Sequence, residues 1–205
     1  FALILTGVLS STSTVLGMWA IMGFGMAGIG LSVMHDANHG AYSKNKKINN
    51  ALGFMLTFIG GYRLNWIIQH NVLHHSFANV EGLDEDIHQK GVMRFSPKQG
   101  RKGFFKFQII YAPFLYGLLT LVWYLFKDFA KLVRYNKMGL LEAQGKTFKR
   151  ALAEVFFHKT WYTLLFIVLP ISTINLPWWV TIIGYVLMQF ICGLLLSLIF
   201  SSAHV

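Results

Sequence analysis

The chain has 205 residues, 55% hydrophobic and only 13% charged, with a mean hydropathy of +0.51. Soluble domains carry roughly a quarter charged residues, so an ordinary soluble enzyme is all but excluded, and 18 Phe, 8 Tyr and 6 Trp exclude a disordered chain. The net charge of +10 is confined to one interval: every Lys and Arg lies between Lys44 and Lys159 and residues 1–34 and 160–205 carry no charge, a pattern that argues against nucleic-acid binding and for a membrane protein with a basic cytoplasmic middle.

Phe1–Leu9 is apolar but too short to span a bilayer, and the start on Phe is expected to reflect a first span that has been cut. Ser10–Thr14 (SSTST) reads as a turn. Val15–Met34 has the ~20 apolar residues a spanning helix needs, with glycines that allow close helix packing. Ile48–Tyr62 is short for a span, and Phe104–Phe126 is interrupted by Lys106, Gln108, Pro113 and Gly117. Both are expected to lie in or on the membrane surface, partly buried against other helices. Trp161–Ile174, with a Phe156–Phe157 lead-in, and Trp178–Phe200 form two further spans, parted by the turn Asn175-Leu176-Pro177. Cys192 is the single cysteine, so a disulfide framework and a Cys-based zinc finger are ruled out. The expected fold is therefore all-α: one membrane domain over residues 1–205, an integral membrane helical bundle with two transmembrane hairpins and a cytoplasmic His-rich helical region.

Five of the 8 histidines fall in two groups, His35-Asp-Ala-Asn-His39 directly after the first span and His70-Asn-Val-Leu-His74-His75. Residues four apart on a helix share a face, so each pair can present two imidazoles to one metal. His75, about 100° round the helix from His74, is placed to reach a second metal. Clusters of ionisable residues beside membrane segments default to function. Imidazole suits zinc, copper, iron or nickel, but five histidines exceed the three protein ligands of a catalytic zinc site. No H-E-x-x-H is present, and no cysteine set for an iron–sulfur cluster. A His-ligated, two-metal, oxygen-accessible site fits best, which points to iron. His88, in the acidic stretch Glu81–Gln89 (EGLDEDIHQ), is expected to be a solvated surface residue, and His158 an ordinary interfacial one. Asp36, Asn38, Asn71 and Asn79 either orient imidazoles or sit exposed; Trp66 and Phe77 either line a substrate channel or, as is expected of both, pack in the core.

HDANHGAYS (His35–Ser43) and NWIIQHNVLHHSFAN (Asn65–Asn79) resemble the first and second histidine boxes of the membrane fatty acid desaturases. The form H-D-x-x-H-G with H-N-x-x-H-H is most similar to the acyl-lipid and acyl-CoA group that includes the front-end enzymes. The resemblance implies that His35, His39, His70, His74 and His75 ligate two non-haem iron ions, with His204 as an additional ligand at the end of the last span. It also implies a third box, which is absent before Val205, so that this chain as it stands is expected to be a fragment that under-ligates its second metal. The implied reaction is O2-dependent desaturation of a fatty acyl lipid or acyl-CoA, with electrons from a ferredoxin or a cytochrome b-type donor; no flavin or nicotinamide fingerprint is visible. Lys44, Lys46 and Lys47 are either part of a docking surface for that donor or positive-inside anchors. The rivals are a related membrane di-iron hydroxylase and a non-enzymatic His-ligated haem or metal membrane protein.

Overall fold

A computed structural model describes residues 1–80, 82–85, 87, 92–95 and 99–203, and every regular element among them is helical. Among the described residues seven longer helices organise the fold: α1 (Thr12–Asn38), α2 (Lys46–Ile59), α3 (Arg63–His74), α4 (Gly103–Gly117), α5 (Leu119–Lys137), α6 (Phe148–Thr173) and α7 (Trp178–Ser202). By length and composition α1, α6 and α7 are each able to cross a membrane; α2–α3 and α4–α5 qualify only if each bent pair is taken as one broken span.

The first span is longer than its apolar window. Ser11 is extended, and Thr12–Thr14, expected in a turn, already belong to α1. At 1.5 Å per residue its 27 residues reach about 40 Å, beyond a hydrocarbon core of about 30 Å, so its C-terminal histidines stand clear of that core when the rest is embedded. Helix α6 likewise extends well before Trp161. Thr147 caps it by accepting the Arg150 N–H, and Arg150 and Glu154 pair one turn apart, so a polar stretch continues the helix out of its apolar half. The expected break holds: Ile174 is extended, and α7 starts at Trp178 directly after Pro177.

Small residues set the packing of α1 on α7. A Cβ on Gly184 would lie 2.2 Å from Trp19 Cδ1, and one on Gly23 would lie 2.7 Å from the Met188 carbonyl oxygen. The pairings Trp19–Gly184, Gly23–Met188 and Gly30–Leu196 advance together, so the two helices run parallel. Gly117 of α4 meets the Phe190 ring in the same way, and Thr120 donates to the Gln189 carbonyl at 2.8 Å. The Phe104–Phe126 stretch is therefore packed into the bundle on one face, while Ile109 and Ile110 of the same stretch are 85% and 75% exposed. Its axis bends by 58° between α4 and α5.

The Ile48–Tyr62 stretch is not a straight helix. Asn45 caps α2 through the Lys47 N–H, the winding tightens over Phe54–Ile59, and Gly60 ends it at φ +93°. That left-handed value is one glycine adopts without a Cβ penalty, and α3 leaves at 105° to α2. A buried polar cluster holds this corner. Lys159 of α6 donates to the Gly60 carbonyl and to Asp128 Oδ2, each at 2.5 Å. Asp128, at the middle of α5 and wholly buried, also accepts from Trp123 Nε1 and Asn65 Nδ2, both at 3.0 Å.

Candidate metal centre

Both histidine groups meet at one end of the bundle. The His35 and His39 rings lie 4.6 Å apart, and His70 stands 5.1 Å from each. His75 is 5.0 Å from His39 and 4.7 Å from His70, and His74 stacks on His70 at 5.5 Å with 14° between planes. All five imidazoles singled out in the sequence thus form one cluster. His35 Nε2 and His70 Nε2 are 3.2 Å apart.

Local winding explains why both His74 and His75 reach His70. Over Ile68–His74 the helix is π-wound, and the His75 N–H bonds to the His70 carbonyl, five residues back. In an α-helix residue i+5 lies about 140° round from residue i; the wider turn brings i+4 and i+5 to flank the same face. π-Turns of this kind recur at functional sites. His74 and His75 thus stand astride His70, with their own rings 5.4 Å apart.

The donor set fits a metal. Ligand nitrogens of His35, His39 and His70 lie within 4.8 Å of one another; two nitrogens bound across one ion at ~2.1 Å are about 4 Å apart, so small side-chain movements close the set. Burial, followed by the neighbouring His35, His39, His75 and His74, pushes the His70 imidazole down to about 2, which leaves it neutral with a lone pair to give. Around the rings, Trp66 stacks on His70 at 4.5 Å, and the Phe200 ring of α7 lies 6.0 Å from His35. Trp66 is thus buried as expected, but against the cluster. Phe77, expected in the core, is 41% exposed.

Hydrogen bonds to the outer sides of the rings orient them. Asp36 Oδ1 accepts from His35 Nδ1 at 3.1 Å, which turns Nε2 toward His70. Asn38 is engaged elsewhere: its Oδ1 accepts from Arg63 Nε at 2.7 Å and its Nδ2 donates to the Gly53 carbonyl. Asn71 donates to the Asn38 carbonyl at 3.0 Å, a direct tie between the two histidine segments. His74 Nδ1 lies 3.1 Å from Asp84 Oδ1, and Asp84 is 1% exposed. Glu85, the other described carboxylate of the acidic stretch, is also largely buried, against Arg134 and Lys131. The only sequence signal of these two acids was an unusual density of acid close behind the second histidine group.

His158 stays apart from the cluster, accepting from Trp161 Nε1 at 3.3 Å and facing the Tyr62 ring. His88 and His204 lie outside the described residues. Helix α7 is described as far as Ala203.

The family model described as fatty acid desaturase matches residues 11–205. Among curated proteins the chain is 39% identical over 106 residues to an sn-1 linoleoyl-lipid 6-desaturase of Synechocystis sp., covering 52% of this chain and 30% of that protein. It is 28% identical over 185 residues to the protein of the same name from Arthrospira platensis, covering 90% of this chain and 50% of the relative. It is 35% identical over 195 residues to an acyl-lipid (8-3)-desaturase of Physcomitrium patens, covering 90% of this chain and 38% of the relative. The chain therefore spans half or less of the length of these relatives. No solved structure matches.

Proposed function

The chain belongs to the fatty acid desaturase family, and from that premise we propose that it removes two hydrogens from adjacent carbons of a fatty acyl chain. In this reading two iron ions are held by His35, His39, His70, His74 and His75, with His204 as a further ligand. The observation that carries it is the convergence of five imidazoles, from two segments 30 residues apart, at one end of an apolar helical bundle. The acyl-lipid substrates in the relatives' names make a lipid-borne acyl chain the favoured substrate class, with acyl-CoA second.

Iron with O2 supplies, when bound, the oxidising power that no side-chain acid or base can bring to an unactivated C–H bond. The overall balance takes two hydrogens from the acyl chain, two electrons and two protons from outside, and one O2, and gives one double bond and two waters. A ferredoxin or cytochrome b-type donor supplies the electrons. The residues of the chain do the positioning. Asp36 fixes the His35 ring so that Nε2 faces His70, and burial keeps His70 neutral. Trp66 and Phe200 set apolar rings against His70, while His39 and His75 stay exposed. Helices α1, α6 and α7 cross the bilayer, and the basic interval Lys44–Lys159 with the histidine cluster faces the cytoplasm, an arrangement supported by the confinement of charge to that interval.

The test is product analysis after expression of the full reading frame with an electron donor. The expected product is an acyl chain lighter by two hydrogens, lost in His39→Ala. An acyl chain heavier by one oxygen would replace the reading with a hydroxylase, and a strong visible haem band in the purified protein would replace it with a haem protein.

A further inference from the structure

Beyond the imidazoles, the charged group set deepest beside the cluster among the described residues is Asp84, 1% exposed. We propose that Asp84 is a positioning residue of the metal centre, holding His74 by its Nδ1–H so that Nε2 is the nitrogen offered to metal. The inference rests on the metal reading above.

Both carboxylate oxygens are engaged. Oδ1 lies 3.1 Å from His74 Nδ1, and Oδ2 accepts the Asn79 backbone N–H at 2.8 Å. Asn79 makes that bond at φ +62°, a left-handed value uncommon for a residue with a side chain. An ionised carboxylate only accepts, so the shared proton sits on Nδ1. A neutral imidazole carries one N–H, which puts its lone pair on Nε2. Stacking on His70 holds the plane of the same ring.

The carboxylate is itself anchored. Its neighbour Glu85 lies 3.2 Å from Arg134 Nη1 and 3.5 Å from Lys131 Nζ, and Arg134 Nη2 donates to the Gly82 carbonyl at 2.7 Å. Helix α5 thereby fixes the turn, the turn fixes Asp84, and Asp84 fixes the ring. Asp36 contacts His35 with similar geometry but is 52% exposed, so water competes for it. Asp84 has no such competition, and its buried negative charge also favours a cation on the far side of the imidazole.

The test is Co2+ binding to the full-length protein in detergent, followed by visible absorption, for wild type, Asp84→Asn, Glu85→Gln and His70→Ala. Loss of an outer carboxylate typically costs 10–100-fold in metal affinity, and that loss, with a shifted cobalt spectrum, is expected for D84N. E85Q loosens the same turn but leaves the carboxylate on His74, and should lose clearly less affinity than D84N with a spectrum near wild type. Wild-type affinity and spectrum in D84N, or an equal loss in E85Q, would overturn the proposal. Co2+ binding that depends on His70 but not on Asp84 defeats this inference alone. Binding that is absent in wild type, or unchanged in H70A, defeats the metal reading and this inference with it.

Discussion

Replacing Lys159 by Met should be among the most damaging single changes outside the histidines. The ammonium is almost fully buried and serves three acceptors: Asp128 Oδ2 and the Gly60 carbonyl at 2.5 Å, and the Trp123 carbonyl at 3.4 Å. Met fills similar volume but donates nothing. Asp128 would keep Trp123 Nε1 and Asn65 Nδ2 as donors yet lose its counter-charge while wholly buried. Removing one partner of such a pair costs about 3–5 kcal/mol. For a chain of this size each kcal/mol corresponds to about 2–4 °C in melting temperature, so the fall should be roughly 6–20 °C. Replacing both partners, as in Lys159→Met with Asp128→Leu, removes the orphaned charge and should recover part of the loss. The assay is thermal unfolding in detergent, read by tryptophan fluorescence on wild type, both single variants and the double. A Lys159→Met protein that melts with wild type would refute the ion-pair argument. So would a double variant whose losses simply add, because groups in contact should couple.

Gly184→Ala should destabilise by about 1–3 kcal/mol through overpacking, because its Cβ would sit 2.2 Å from the fully buried Trp19; unchanged melting would show that α1 and α7 do not meet there. The His70 imidazole is held down to about 2 by burial and its neighbours, whereas an unfolded histidine titrates near ~6.5. Between these values the unfolded chain takes up a proton that the fold refuses, so stability is intact above about pH 6.5 and is lost as pH falls toward 2. Melting of the metal-free protein at pH 7.5 and pH 5 checks the sign, and greater stability at pH 5 would contradict it. Cysteines placed at Lys47 and Lys137, both exposed, should resist an impermeant thiol reagent in intact cells and react after lysis; labelling of one alone from outside would mean that a segment between them crosses the bilayer.

The spans were legible because a bilayer demands uninterrupted apolar length, and the Asn175-Leu176-Pro177 break stood out against it. The cluster was legible because i, i+4 histidines on a helix have few structural uses. What escaped the sequence was set by contacts between distant residues or by winding. Nothing in the composition of EGLDEDIHQ separates a solvated acid from Asp84, whose burial depends on Arg134 and Lys131 of α5 reaching its neighbour. Asp128 and Lys159 are 31 residues apart in sequence, and each reads locally as an interfacial charge. The π-turn over Ile68–His74 has no compositional mark, yet it decides that His74 and His75 flank His70 together. Helix α6 outran its apolar window because capping at Thr147 and the Arg150–Glu154 pair sustain a helix where hydropathy falls.

The placement of polar side chains in so apolar a chain follows from what each kind of force can do. Hydrophobic burial is non-directional; it assembles α1, α6 and α7 but cannot fix a ring to the ~0.5 Å that a working site requires. Helix α3 carries three of the five clustered histidines or leads directly into them, and it is fastened by polar contacts from two sides. Asn71 reaches the Asn38 carbonyl of α1, while Asn65 reaches Asp128 of α5 and Gln69 meets Lys131 on that same helix. Arg63 at its start is held by Asn38. Its preceding corner at Gly60 is held by Lys159 of α6. Each bond is worth only about 0.5–1.5 kcal/mol net, but breaking one strands a buried group at about 1–3 kcal/mol. The contacts thus penalise displacement more than they reward folding. A helix held in this way can lose one tie and keep its fold while its imidazoles move, and so metal affinity should be more sensitive than melting temperature to substitutions at Asn38, Asn65 and Asn71.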